Sequence, residues 1–281
     1  IINDDDDDKV VAQVFFSVLE PRVSVNINVS GNTDIDTWDS HQQVDFNINY
    51  QGYRVQNPAE DFYSVVMQNR RWDSHVSGER PSYLRNGEVV FTHNRNLIFE
   101  GGNEYRRFEI LDEYVPTMRV FSMSYNAPYY HATLFTDEVR RNYIYDEEQN
   151  GSFYINDIDH SDPDVEADYV FVHFALQAPP DLKGGIYLNG EFTADHFGPE
   201  YRMEYNPDSG LYENTQLLKL GYYNYQYLYQ SRSGAPPSTA EIQGNFFQAE
   251  NRYTILAYYS ERGSRYDRLI ALSDFQFSLT K

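Results

Sequence analysis

The chain has 281 residues, a formal net charge of −21 and no cysteine. So acidic a chain repels a phosphate backbone, which argues against nucleic acid as a partner, and the missing thiols exclude disulfides, thiolate metal sites and cysteine nucleophiles. Aromatics make up 16% of the residues, led by 26 Tyr and 18 Phe, a composition suited to sheets. No apolar run approaches the roughly 20 residues of a membrane helix, and no signal peptide is present.

The chain opens at Ile1 and runs through five aspartates, Asp4 to Asp8, into "KVVAQVFFSV". Such a run is read as a solvated loop rather than a cation site. Residues 1–21 are expected to be the remnant of a preceding β module that ends at Pro21, with the natural N-terminus upstream. Period-2 alternation then dominates. "VSVNINV" places Val23, Val25, Ile27 and Val29 on one face, and "VDFNINY" does the same with Val44, Phe46, Ile48 and Tyr50. Further on, "YVFVHFAL" aligns Val170, Val172, Phe174 and Leu176. These are half-buried antiparallel strands. Asn86-Gly87 and Asn189-Gly190 carry the signal of two-residue hairpins, and "NPDSG" at Asn206–Gly210 that of a longer one. "SRSGAPPSTA", Ser231 to Ala240, is a loop by composition.

"INDIDHSDPDVEAD", Ile155 to Asp168, is acidic, holds Pro163 and has no apolar face. It is taken as a domain boundary. The expected organisation is all-β, with two tandem Ig-like or early-set β-sandwich domains at residues 22–160 and 161–281. The same stretch lacks the glycine that a calcium loop needs for its sharp turn, since Asp162 stands there.

Candidate contact residues are few. In "LGYYNYQYLYQ" a strand would align Tyr223, Tyr225, Tyr227 and Tyr229 on one face. That face is either a ladder packed inside a sheet or an exposed surface for a partner. Tyr223, Tyr225, Tyr227 and Trp72 are the partner-binding candidates. "NRRWDSH" also places Asp73 and His75 on one strand face, as a hydrogen-bonded surface pair. In "FEGGNEYRRF", Gly101-Gly102 allows a sharp turn that Asn103 and Glu104 can brace. No nucleophile elbow, zinc motif, phosphate loop or dinucleotide fingerprint is present, so neither an enzyme nor a cofactor is expected.

"VMQNRRWDS", "IFEGGNEYRRFEI", "ADYVFVHFAL", "LLKLGYYNYQYLY" and "AENRYTILAYYSERGSRYDRLIAL" follow one another in this order. Together they resemble the plug-protein family of the type IX secretion system, from about Pro21 to Leu272. The resemblance implies an exported, periplasmic, non-catalytic all-β protein that closes the periplasmic mouth of an outer-membrane β-barrel translocon. It supplies no catalytic residues. The region from "GGIYLNGEFT" to "YNYQYLY" also resembles early-set carbohydrate-binding modules. A glycan partner is disfavoured, because both tryptophans, Trp38 and Trp72, lie in the first half of the chain, away from that region.

Overall fold

The computed structural model describes residues 16–232 and 234–279. Ser24–Ser30 (β1) buries Val25 and Val29 and exposes Ser24, Asn26 and Asn28. His41–Asn49 (β2) pairs with it antiparallel, setting Ile48 opposite Val25 and Val44 opposite Val29. Like faces therefore meet in register. Phe62–Gln68 (β3), Val76–Ser77 (β4), Tyr83–Arg85 (β5), Glu88–Phe91 (β6) and Ile98–Glu100 (β7) follow. β1, β2, β5, β6 and β7 form one sheet, with β6 and β7 pairing along different halves of β2. Asn86-Gly87 closes the β5–β6 hairpin, Arg85 pairing with Glu88 and Gly87 taking φ +80°. Glycine enters that left-handed region without steric cost.

The next ten strands are Arg106–Ile110 (β8), Val120–Asn126 (β9), Tyr129–Leu134 (β10), Asp137–Glu138 (β11), Phe153–Ile155 (β12), Tyr169–Gln177 (β13), Gly185–Asn189 (β14), Arg202–Asn206 (β15), Leu211–Lys219 (β16) and Gly221–Gln230 (β17). They form one hydrogen-bonded sheet that curls around a core containing Phe108, Val172, Phe174, Leu188, Tyr225 and Tyr227. The chain then returns. Asn251–Tyr259 (β18) pairs with β3, Ile255 opposite Val66, and Arg268–Phe277 (β19) pairs with β18. This four-stranded sheet covers the first one, so Phe46, Ile48 and Phe91 share a core with Phe62, Val66, Tyr253 and Ile270. The protein is all-β: helix among the described residues is confined to single α-turns at Pro58–Asp61 and Pro163–Glu166 and three short 3-10 turns.

The units are nested rather than tandem, which corrects the expected division at residues 160 and 161. β8 to β12 belong to the second sheet, and β18 and β19 belong with the first. The acidic stretch between Ile155 and Asp168 joins β12 to β13 within the second unit and is a mostly exposed surface loop. Its composition marks solvent exposure, which a surface loop and a linker share. The chain crosses between units at Gly101–Tyr105 and again ahead of β18. Asp4 to Asp8 and most of the proposed N-terminal remnant lie outside the described residues. Its described end runs along β19, where the amides of Glu20 and Arg22 donate to the carbonyls of Leu269 and Ile270 at 2.8 and 2.9 Å. Asn189-Gly190 also differs from expectation. Gly190 is extended at φ 172° and leads into a 3-10 turn, Glu191–Thr193. β14 instead pairs with β15 across a longer connection.

Buried amides brace both crossings. The Asn103 side chain donates to the carbonyls of Asn142 and Gln243, both at 3.0 Å, and accepts from the amide of Ile144 at 3.1 Å. The bracing expected of "FEGGNEYRRF" is this contact set. A fragment of residues 16–160 lacks β18 and β19, which cover the first core. It should show no cooperative urea transition and no near-UV dichroism, whereas the whole chain shows both. A fragment unfolding cooperatively like a complete domain would contradict the nested arrangement.

Candidate functional site

β8 and β12 pair with the first half of β17 from opposite edges, and β14 pairs with its second half. Tyr223, Tyr225 and Tyr227 are at most 2% exposed. Phe108 stacks on Tyr223 with centroids 5.2 Å apart, and Tyr225 meets Tyr227 edge-on at 5.7 Å. The hydroxyls of Tyr225 and Tyr227 donate to one oxygen of Asp137 at 2.7 and 2.9 Å, while Arg106 donates to the other at 2.8 Å. A buried carboxylate is tolerable only with such partners. These three tyrosines are therefore core residues, and their assignment as partner contacts is corrected. The other face of β17 is covered too: Asn224 and Gln226 are buried, and Gln226 donates to Asn189 and to the hydroxyl of Tyr105.

Trp72 is placed differently. It sits in the loop after β3, where Asn69 and Arg70 have φ of 52° and 58°. Arg71 points inward and holds Asp73 through two hydrogen bonds of 3.0 and 2.6 Å. The expected Asp73–His75 pair is not formed: His75 Nδ1 lies 2.6 Å from the carbonyl of Trp72 instead. The arginine competes better because both charges are permanent and its fork matches the carboxylate. The Trp72 side chain is left exposed, at 54% for the residue.

The Trp72 amide reaches across to the second unit and donates to Asp195 at 2.9 Å. Between the two units lies a cleft of about 580 Å³. Asn69–Trp72 and Arg252 line it from the first unit, and Gln149–Ser152, Asn189–Glu191 and Ala194–Asp195 from the second. Asn69, Arg70, Asn150, Ala194 and Asp195 all have positive φ, as does Gly151. Asn and Asp enter that region most readily, but Arg and Ala do so at a cost. Such backbone gathers at ligand clamps. Burial raises the pKa of Asp195 from its ordinary value, opposed by the hydrogen bond from the Trp72 amide. Sequence reading named Trp72 but missed Asp195, Asn150 and Arg252. Asn150-Gly151 is a turn signal, yet nothing local reveals that its loop faces Trp72.

A second feature is the β9–β10 hairpin. From Val120 to Thr136 there is no Asp, Glu, Lys or Arg. Phe121 and Phe135 meet edge-on at 5.5 Å, Tyr125 packs on Tyr130 at 4.8 Å, and Tyr129 on Phe171 at 5.1 Å. Phe121, Tyr125, Tyr129 and Phe135 are all exposed. β9 pairs only with β10 among the described strands, so its outer edge is open. On the outer face, His131 and His173 share a hydrogen bond of 2.8 Å, and burial with the neighbouring ring lowers the pKa of His173.

This architecture has a solved counterpart. A crystal structure of a hypothetical protein from Parabacteroides merdae superposes with a TM-score of 0.89 at 44% sequence identity, over 93% of this chain and 66% of that one. No family model matches the chain, and no curated protein matches it. The likeness shows a shared fold across almost all of this chain. It names no ligand or reaction.

No group of three or more His, Cys, Asp or Glu among the described residues could hold a metal ion. Glu104 is buried with hydrogen-bond partners. Glu104 accepts from the Tyr143 hydroxyl at 2.6 Å and from the Glu250 amide at 3.1 Å. Burial, opposed by these hydrogen bonds, pushes its pKa up to about 7, and burial beside Glu104 pushes Glu148 up to about 8.

Two outcomes follow. Tyr225→Phe keeps the ring and removes a hydroxyl bound to a charged acceptor, so urea unfolding should report a loss of about 1.5–3 kcal/mol. An unchanged midpoint would mean that Asp137 does not hold that hydroxyl. The native chain binds the Glu104 proton more tightly than the unfolded chain does. Stability from this group is therefore complete below about pH 4.5 and is lost as pH rises through about 7. Glu104→Gln should remove a decline on the order of 2 kcal/mol between pH 5 and pH 8. Equal slopes in the two proteins would refute the raised value.

Proposed function

We propose that this chain is a non-catalytic periplasmic component of the type IX secretion system. In this reading it occludes the periplasmic opening of the outer-membrane translocon barrel. The reading starts from the five ordered motifs and takes each unit as an Ig-like or early-set sandwich, the second inserted into the first. The observation that carries it furthest is the uncharged, aromatic β9–β10 hairpin on a chain of net charge −21. Natural sheet edges are usually protected by charge, proline or short length. β9 runs for seven residues without charge and presents exposed aromatics at both ends of its hairpin. Exposed aromatic area of this kind marks a protein contact, and Tyr and Phe anchor such interfaces with little loss of side-chain entropy.

Occlusion also demands a body that keeps its shape. The nested topology supports this, because the second unit is tied into the first by two chain crossings rather than one linker. The acidic remainder of the surface would orient the approach electrostatically and weaken with salt, while the neutral hairpin would hold the docked state.

The test is genetic and biochemical. Deletion of the gene should raise entry of a large antibiotic through the outer membrane, and the full-length exported protein should restore the barrier. Phe121→Asp combined with Tyr125→Asp should leave the thermal midpoint unchanged and weaken co-purification with the barrel by about 30-fold or more, the loss of two hot-spot anchors. Wild-type permeability in the deletion strain, with the translocon present and no redundant relative, would remove the assignment.

A further inference from the structure

The nested fold removes the sequence argument against a sugar ligand. That argument held because both tryptophans lie in the first half of the chain. Folding brings Trp72 to the second unit, where its amide is 2.9 Å from Asp195. We propose that the cleft between the units is a binding site for a neutral oligosaccharide, with Trp72 as its stacking platform. This proposal stands apart from the translocon reading and uses a different surface.

The chemistry of the walls narrows the ligand. The exposed indole of Trp72 can cover the apolar C–H face of a sugar ring. Around it stand hydroxyl-matching groups. Asn150 Oδ1 is buried on the wall and has no hydrogen-bond partner. Glu191 and Gln149 are exposed at the rim. Arg252 lines the cleft and makes no ion pair among the described residues. Drug-like apolar ligands favour pockets lined by hydrophobic side chains, whereas Trp72 and Tyr105 are the large aromatics of this wall.

Charge disfavours an anion. Arg71 is occupied by Asp73, and Arg70 lies 3.5 Å from Asp274. That leaves Arg252 in a cleft also lined by Glu191 and Asp195, whereas phosphate sites gather several free cations or helix N-termini. An extended peptide is disfavoured as well, because loops form most of the wall and offer no open strand edge for main-chain pairing. A volume of about 580 Å³ suits a short sugar chain, roughly two or three rings.

The site is also set in advance. The buried Arg71–Asp73 pair fixes the loop that carries Trp72, and the Trp72–Asp195 hydrogen bond ties that loop to the opposite wall. Both walls carry left-handed backbone, at Asn69 and Arg70 on one side and Ala194 and Asp195 on the other. A platform fixed before binding loses less entropy when a ligand arrives.

The experiment uses the whole chain carrying Trp38→Phe, which leaves Trp72 as the only tryptophan reporter. Maltohexaose, cellohexaose and the N-acetylglucosamine hexamer are each titrated to about 10 mM, and calorimetry repeats the titrations on the unsubstituted chain. At least one sugar should give a saturable fluorescence change. Trp72→Ala should lower affinity at least tenfold by calorimetry at an unchanged thermal midpoint, Trp72→Tyr should retain most of it, and Arg252→Gln should lower it by a smaller factor. The proposal is overturned if no sugar gives a saturable response. It is equally overturned if Trp72→Ala binds as well as the parent, or if inorganic phosphate or an acidic decapeptide binds the cleft in place of the sugars.

Discussion

Gln42 is the residue on which the arrangement of the two units turns. It is fully buried on β2, and all four of its side-chain hydrogen-bonding positions are used. Its amide group donates to the carbonyls of Phe247 and Ala249, both at 2.7 Å, and its oxygen accepts from the Tyr253 hydroxyl at 2.7 Å and from Asn251 at 3.1 Å. Asn251 in turn donates to the carbonyl of Gly101 at 2.8 Å. One side chain thus holds the returning crossing, and its neighbour ties that to the outgoing one. A buried polar network is stabilising only when complete, and this one is complete at its centre. The position of β18 depends on it, and so does the cleft, because the Arg252 amide donates to Asn69 at 2.9 Å. Gly101 shows how closely the two crossing segments meet: a Cβ there would lie 2.3 Å from the carbonyl oxygen of Phe246.

Local pattern and long-range order were unequally visible in the sequence. Alternation identified the buried faces of β1, β2 and β13, because a half-buried strand must repeat every two residues. Asn86-Gly87 marked its hairpin and "NPDSG" marked the β15–β16 loop, since Gly87 and Gly210 both take the left-handed conformation. Asn189-Gly190 misled for the same reason in reverse: its glycine is extended. The tyrosine run read correctly as a strand, but its alternation gives no sign that both faces are covered. The nested order was invisible because the pairing of β18 with β3 is set by which sheets pack over a common core, and no local signal encodes that. Trp72 was legible as a residue; its neighbour Asp195 was not, for the same long-range reason.

Charge is distributed by role. The acidic residues crowd the loops, such as the stretch between β12 and β13, while the β9–β10 hairpin carries none. A chain of high net charge stays dispersed through self-repulsion, which lets one neutral edge remain open without indiscriminate strand pairing. The same division explains why the buried acids matter. Glu104 and Glu148 lie close together at the junction, where burial raises both pKa values, so their protons are coupled to folding.

The hairpin and the cleft are built from different parts of the molecule. β9 and β10 lie at one end of the second sheet, whereas the cleft needs one wall from each unit. A ligand in the cleft touches both walls, and in a two-domain protein with a single linker it would close a hinge. Here the walls are already joined by the Trp72–Asp195 contact and by the crossings anchored at Gln42 and Asn103. These ties oppose a hinge motion, so a ligand in the cleft is expected to leave the spacing of the walls unchanged. The energies of binding at the two surfaces should then add, as they do for distant sites with no shared partners. Under the proposed occluding role, a sugar held in the cleft would leave the hairpin face unaltered, because the two surfaces share no residue.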